Sequence, residues 1–256
     1  MVLFCIIGEM GSGKTLTAAQ LAFKNWYFRK QKLYSNFHLY KMPYYFVDRV
    51  RQFDYMHEGY VLLDEIWRLI DSRLSRTTSN KFVGDILARS RKRQLVYVYT
   101  AQVIDTIDKR IRKVQDFTSL VSTNRKETAY RVNVFRTGYI KNGTYLKTFY
   151  FTSEIPKQLY STQEEVDMID DSKDEGGCPE PKLMWQLAAG KCLNCGTLIT
   201  ANPNRCDPEY GGCGSRNIEP IQPIFFDTWE EADLYGQKYW EKWFEENNFI
   251  SSKSLS

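Results

Sequence analysis

Gly8-Glu9-Met10-Gly11-Ser12-Gly13-Lys14-Thr15 follows an unbroken apolar run, Val2–Ile7, and opens a segment in which Leu16, Ala19, Ala22, Phe23 and Trp26 recur on one helical face. The octet fits G-x-x-x-x-G-K-[ST] in the strand-to-helix context where that pattern cradles a phosphate chain. Glycines let successive backbone N–H groups curl around an anion, and the helix N-terminus adds partial positive charge. This reading assigns Gly8, Gly11, Ser12, Gly13, Lys14 and Thr15 to a nucleotide site. Lys14 serves the β- and γ-phosphates, and the Thr15 hydroxyl serves Mg²⁺.

The rest of the first 160 residues fits that start. Apolar strand-like runs at 32–39, 60–63, 95–100 and 118–122 alternate with longer amphipathic stretches, among them an expected helix over 12–30 and another over 82–93. Such alternation predicts an α/β fold with a parallel sheet. Residues 128–136 and 144–152 alternate in period two around Gly138 and Asn142-Gly143, a hairpin signature.

Tyr60-Val61-Leu62-Leu63-Asp64-Glu65 is an apolar strand ending in two adjacent carboxylates. Beside a phosphate loop, Asp64 is expected to complete the Mg²⁺ shell. Glu65 is placed to orient and deprotonate an attacking water, which points to hydrolysis rather than phosphoryl transfer. That pairing weighs against nucleotide kinases and switch GTPases. Thr100-Ala101-Gln102 ends the next strand where open α/β sheets bind ligands, so Gln102 is either a γ-phosphate or water contact or merely a polar strand terminus. The cluster Arg89-Ser90-Arg91-Lys92-Arg93 is either a solvated helix C-terminus or the source of an arginine finger for a neighbouring subunit.

The chain has 256 residues, 43% of them apolar and 26% charged, as expected of a soluble globular protein with a full core. No apolar stretch reaches transmembrane length, and the opening residues read as a strand rather than a secretion signal. The net charge of +4 conceals an asymmetry. Residues 1–160 hold 27 Lys/Arg against 13 Asp/Glu, and residues 161–256 hold 8 against 18. A basic body suited to a polyanion and an acidic tail with another role are expected, unless both are simply solvated surfaces.

Near residue 160 the character changes. Thr162 and Glu165 form a capping box, and 167–177 is an acidic, glycine-ended linker. Cys192-x2-Cys195 and Cys206-x6-Cys213 follow, each pair's second cysteine preceding glycine and a small hydroxyl residue. Four thiolates so arranged suit tetrahedral Zn²⁺ in a zinc ribbon too small to fold without metal. Disulfides are the competing account, disfavoured in a reducing compartment. Cys5 reads as core; Cys178 has no expected role unless it replaces Cys206. From Thr228 a helix rich in Trp, Tyr and Glu closes the chain. Its Trp229, Tyr239, Trp243 and Phe244 either pack back on the protein or dock a partner.

Together these pieces resemble the FtsK–HerA superfamily of P-loop DNA-pumping ATPases. The likeness is greatest to genome-packaging ATPases of tailless membrane-containing viruses and to zonular-occludens-toxin-like phage assembly ATPases. It covers roughly residues 1–165 and rests on G-E-M-G-S-G-K-T, Ser35-Asn36, L-L-D-E-I-W at 62–67, Asp71-Ser72-Arg73, S-R-K-R-Q-L-V-Y-V-Y-T-A-Q at 90–102 and Asp108-Lys109-Arg110-Ile111-Arg112. The resemblance implies a RecA-like sheet with helices on both faces and a ring, expected to be hexameric. It further implies ATP and Mg²⁺ between subunits and double-stranded DNA in the pore. By position it makes Gln102 a sensor and Arg91 the finger acting in trans, with Arg110 or Arg112 as fallback.

The expected organisation is an ATPase domain over 1–165, a linker over 166–182, a zinc ribbon over 183–222 and an aromatic, acidic helix over 223–256. A viral packaging motor in the host cytoplasm, or associated with virions, is the leading expectation, with capsid or another viral protein as partner of the C-terminal region. Filamentous-phage assembly ATPases usually carry a transmembrane helix after the ATPase region, and its absence here favours packaging over extrusion. The alternatives are such an assembly ATPase, or an ATPase gating assembly of a zinc-ribbon scaffold that binds nucleic acid or protein.

Overall fold

The computed structural model describes residues 2–66, 92–107, 109–124, 126, 128–136, 143–161, 178–200, 204–208 and 211–247. Residues 82–91 of the second expected helix, Arg91, the hairpin tip, the Thr162–Glu165 capping box and residues 166–177 of the linker lie outside the described residues.

Among the described residues, six parallel strands form the centre of a ten-stranded sheet: β1 (Val2–Ile7), β2 (Leu33–Ser35), β3 (Tyr44–Phe46), β4 (Gly59–Leu63), β5 (Leu95–Ala101) and β6 (Phe117–Thr123). Their order is β3-β2-β4-β5-β1-β6, with β5 between the strand that leads into the glycine loop and the strand that ends in carboxylates. Register aligns Ile7 with Ala101 and Leu63 with Tyr99, so the ends of β1, β4 and β5 emerge at one edge. The fold places the chemistry there, as expected for an open α/β sheet.

Antiparallel strands extend both flanks. The hairpin of β7 (Ala129–Arg136) and β8 (Thr144–Thr152) continues from β6. On the other side, β9 (Lys182–Trp185) pairs with β3, and β13 (Ile224–Phe225) pairs with β9. Residue 183, where the ribbon is expected to begin, therefore lies in the large sheet. Residues 183–185 belong to the large sheet, because Leu183, Met184 and Trp185 are apolar and buried. The separate three-stranded sheet is β10 (Gly190–Cys192), β11 (Leu198–Ile199) and β12 (Ile218–Pro220).

Helix α1 (Lys14–Arg29) covers one sheet face with Leu16, Ala19, Ala22, Phe23 and Trp26, the stripe anticipated from spacing. The opposite face holds a second core, including Val50 and Phe53 of a 3₁₀ turn and Ile111 of α2 (Lys109–Val114). Helices thus flank both faces. The second strand is shorter than the expected 32–39, because the chain turns at Asn36 and returns to build β3.

The last helix, α3 (Trp229–Glu246), opens at Thr228, whose hydroxyl accepts the Glu231 N–H at 3.4 Å. Its aromatic residues pack back rather than outward. Trp240 is fully buried 4.7 Å from the Phe23 ring centroid, Trp229 stacks on Tyr45, and Tyr239 meets Trp185. Two indoles fasten the contact: Trp26 donates to Asp233 Oδ1 at 2.7 Å, and Trp240 donates to the Lys41 carbonyl at 2.6 Å. Removing an indole of this size from a packed core costs about 3–5 kcal/mol, and α3 shares one core with α1 and the large sheet.

Candidate functional site

The loop between β1 and α1 wraps the helix N-terminus. Ser12 N–H donates to the Glu9 carbonyl at 3.1 Å, and Gly13 stands at φ +92°, a left-handed backbone that favours glycine. A Cβ at Gly13 would also lie 2.3 Å from the Tyr130 ring, so only glycine fits between the helix start and β7. Ser12 Oγ is buried and has no hydrogen-bond partner among the described residues. A buried hydroxyl without a partner beside a helix N-terminus, whose first N–H groups lack intrahelical acceptors, fits an anion.

Lys14 is nearly buried, and its Nζ donates to the Glu9 carbonyl at 3.0 Å. Burial lowers its pKa, and the nearby carboxylates of Glu65 and Asp64 oppose that shift. Thr15 Oγ1 lies 3.0 and 3.1 Å from the two Asp64 oxygens. A hydroxyl and a carboxylate meeting at a helix N-terminus are hard oxygen donors of the kind that hold Mg²⁺ with phosphates.

Asp64 is held from three sides. Asn36, just past β2, accepts the Asp64 N–H at 2.8 Å and donates to the Asp64 carbonyl at 3.2 Å. Thr100, in β5, donates its hydroxyl to Asp64 Oδ1 and accepts the Glu65 N–H at 2.9 Å. Burial raises the Asp64 pKa; the Thr100 and Thr15 hydroxyls and Lys14 pull it back, and Glu65 adds to the rise. Glu65 follows at φ +52°, a conformation uncommon for a residue with a side chain, which turns the chain sharply as the strand ends.

Of the residues expected from sequence, the structure brings together Gly8, Gly11, Ser12, Gly13, Lys14, Thr15, Asp64 and Glu65. Gln102 lies one residue past β5 and is exposed. Arg91 and the Arg110 side chain lie outside what the structure describes. Arg112 is buried, with Nη1 2.7 Å from Asp105 Oδ1. Asn36 and Thr100 were not foreseen as site residues, although both stand inside the quoted motifs. A cavity of about 600 Å³ opens beside the loop, lined by residues 9–12 and 120–124.

The four expected cysteines also meet. Cys192 and Cys213 Sγ are 3.6 Å apart, Cys195 and Cys206 Sγ 3.5 Å, and all four lie within 4.8 Å of one another. None is in a disulfide. Sulfurs about 2.3 Å from a central Zn²⁺ at tetrahedral corners stand about 3.8 Å apart, so the donor set fits that ion. Gly196 and Gly214, at φ +76° and +80°, follow the second cysteine of each pair and turn the chain back. Their N–H groups donate to the carbonyls of Cys192 and Cys206. The Thr197 hydroxyl, 3.2 Å from Cys195 Sγ, helps hold that thiol down to about 6. Cys178 stands outside the cluster, and Cys5 is fully buried in the core with its thiol pKa raised by burial.

No protein-family model matches the chain, and no curated protein matches it in sequence. Solved structures do. The N-terminal domain of zonular occludens toxin from Neisseria meningitidis aligns at 14% identity and a TM-score of 0.48, over 62% of this chain and 99% of that one. The genome packaging NTPase B204 from Sulfolobus turreted icosahedral virus 2, in complex with ATP-gammaS, aligns at 10% and 0.41, over 57% and 96%. The flagellar accessory protein FlaH from Methanocaldococcus jannaschii aligns at 12% and 0.38, over 59% and 84%. The likenesses are partial, and the site stands on its own geometry. No helix among the described residues is long and apolar enough to cross a membrane.

Proposed function

We propose that this chain is an ATP-hydrolysing DNA translocase, a viral genome-packaging motor acting as a hexameric ring on double-stranded DNA. The observation that carries the reading is the meeting of Thr15 and Asp64 at the phosphate loop, with Glu65 beside them. Backbone N–H groups of residues 9–15 and Lys14 bind the phosphates. Thr15 and Asp64 would hold Mg²⁺, which when bound would offset phosphate charge. Glu65 takes a proton from the attacking water and orients it, and Gln102 senses the γ-phosphate. Arg91 of a neighbouring subunit completes the site in trans.

The DNA partner is supported by the excess of 27 basic over 13 acidic residues in residues 1–160. The cysteine cluster is a zinc ribbon, and the C-terminal region meets capsid or another viral protein. The motor works in the host cytoplasm or at the virion. Steady-state ATPase with and without duplex DNA, together with electron microscopy of the protein with nucleotide and DNA, tests the reading. DNA-stimulated hydrolysis and rings are expected. Hydrolysis indifferent to DNA, without rings, would overturn it.

A further inference from the structure

Leu39 bridges Tyr160 in an isolated antiparallel pair, and the Tyr40 N–H donates to the Leu159 carbonyl at 2.7 Å. The loop before β3 therefore runs beside the 3₁₀ turn Pro156–Gln158. The next residue, Lys41, is pinned at both backbone ends. Its N–H donates to the Gln186 carbonyl at 2.7 Å, and its own carbonyl receives the Trp240 indole. It stands at φ +62°, uncommon for a residue with a side chain. Lys41 is 6% exposed, and its Nζ donates to Gln158 Oε1 at 2.7 Å. The Gln158 amide is oriented from its other end, where Nε2 donates to the Glu154 carbonyl at 2.9 Å.

That bond uses one of three ammonium donors, and its acceptor is neutral. Among the described residues no carboxylate pairs with Lys41. Burial lowers its pKa to about 8, so near neutral pH the group is still a cation. A buried charge without a counter-charge is strongly unfavourable. Lys41 and Gln158 both line a cavity of about 320 Å³ between the ATPase body and the cysteine-bearing sheet. Lys157, Thr200, Arg205 and Asp207 line it too, and the Thr200 hydroxyl donates to the Lys157 carbonyl at 3.3 Å across the seam. Three cationic residues thus stand against one carboxylate.

We propose that this cavity is a binding site for a phosphate group, with Lys41 as its buried anchor. None of its lining residues belongs to the phosphate loop, so the site is separate from the nucleotide and stands whether or not the chain moves DNA. The excess of two positive charges matches a phosphate dianion better than a single carboxylate. Lys41 has two donors left for phosphate oxygens, and Arg205, exposed at the rim, offers a planar fork. The cavity is larger than one phosphate ion needs, so the group arrives either free or as the monoester of a small organic molecule. Bound there, it would give the buried ammonium its counter-charge and tie residues 41 and 157–158 of the body to residues 205–207 of the cysteine-bearing region.

The experiment is isothermal titration of the full chain with inorganic phosphate and, separately, with ribose 5-phosphate, in a Lys14→Ala background that disables the phosphate loop. Lys41→Met keeps the side-chain stem and removes the ammonium. Arg205→Gln alters an exposed residue and keeps the test independent of core packing, and Lys238→Gln, an exposed lysine outside the cavity, is the control. Circular dichroism checks folding. Losing a charge-assisted bond in a buried site should weaken binding about tenfold or more in Lys41→Met. Arg205→Gln, at the solvated rim, should weaken it about threefold, and the control should stay within about twofold. Tighter binding of ribose 5-phosphate would mark the occupant as a phosphomonoester, and equal or weaker binding as free phosphate. Binding of neither would overturn the inference, as would undiminished affinity in Lys41→Met or an equal loss in the control.

Discussion

The hydroxyl of Thr100 ties Asp64 to Glu65: it donates to the Asp64 carboxylate and accepts the Glu65 backbone N–H. The strand inserted between β1 and β4 thereby sets the position of both acidic residues. Thr100→Val keeps the side-chain volume and removes both bonds. A hydrogen bond to a charged group contributes about 1.5–3 kcal/mol, so kcat for ATP hydrolysis should fall about tenfold or more. KM for ATP should change little, and Thr100→Ser should restore most of the rate. Steady-state kinetics of the three proteins provide the check; a Val variant at wild-type kcat would remove Thr100 from the site.

Glu65 stands next to the Thr15–Asp64 pair without being part of it, which separates its role from binding. Glu65→Gln should keep the affinity for a fluorescent ATP analogue within about twofold, while turnover drops by about 10² or more, the usual contribution of a general base. Lys14→Ala should instead lose binding, because it removes the cation that the phosphate loop places at the start of α1. Retained hydrolysis in the Gln variant would assign the base elsewhere.

Much of this site was legible because each apolar run ends in its own chemistry: Ile7 runs into the glycine loop, and Leu63 into Asp64 and Glu65. The strand leading to Gln102 was also evident, yet the contact to Asp64 comes from Thr100, two residues earlier, where the side chain is still buried in the sheet. Its signal was a hydroxyl at the inward position before the strand's last residue. Pairings between distant short strands had no local signal. Tyr44 lies opposite Met184, and neither three residues of β3 nor four of β9 identify a partner 140 positions away. The cysteines, by contrast, announced their meeting through spacing alone, although the sheet around them has strands of only two or three residues.

Metal content tests the cysteine cluster directly. Its core is small, consisting of Cys192, Ile199, Cys206 and the flanking Ile218. Bound metal is therefore expected to supply most of its folding energy. Elemental analysis of the purified protein should give about one Zn²⁺ per chain. Cys206→Ser should lower that content and make residues 190–220 protease-sensitive, whereas Cys178→Ser should leave both unchanged. A zinc-free protein with this region resistant to protease would refute the assignment.

Lys41 links stability to pH. It is 6% exposed, its Nζ donates to Gln158 Oε1 at 2.7 Å, and its backbone carbonyl receives the Trp240 indole N–H. Burial drops its pKa from 10.5 to about 8. The folded state therefore disfavours the ammonium. Below pH 8 the group is charged in both folded and unfolded chains and the full penalty applies, about 3 kcal/mol at most. As pH rises from about 8 towards 10.5 the folded state carries fewer charged lysines than the unfolded one, and the penalty fades. Buried tyrosines such as Tyr34, raised to about 12 by burial, act in the opposite direction at the alkaline end, so the useful quantity is a difference between proteins. Lys41→Met should be more stable than wild type at pH 7, and its advantage should shrink by pH 9.5. Urea unfolding of both proteins at the two pH values measures this, and an advantage independent of pH would show that Lys41 is not the group that titrates.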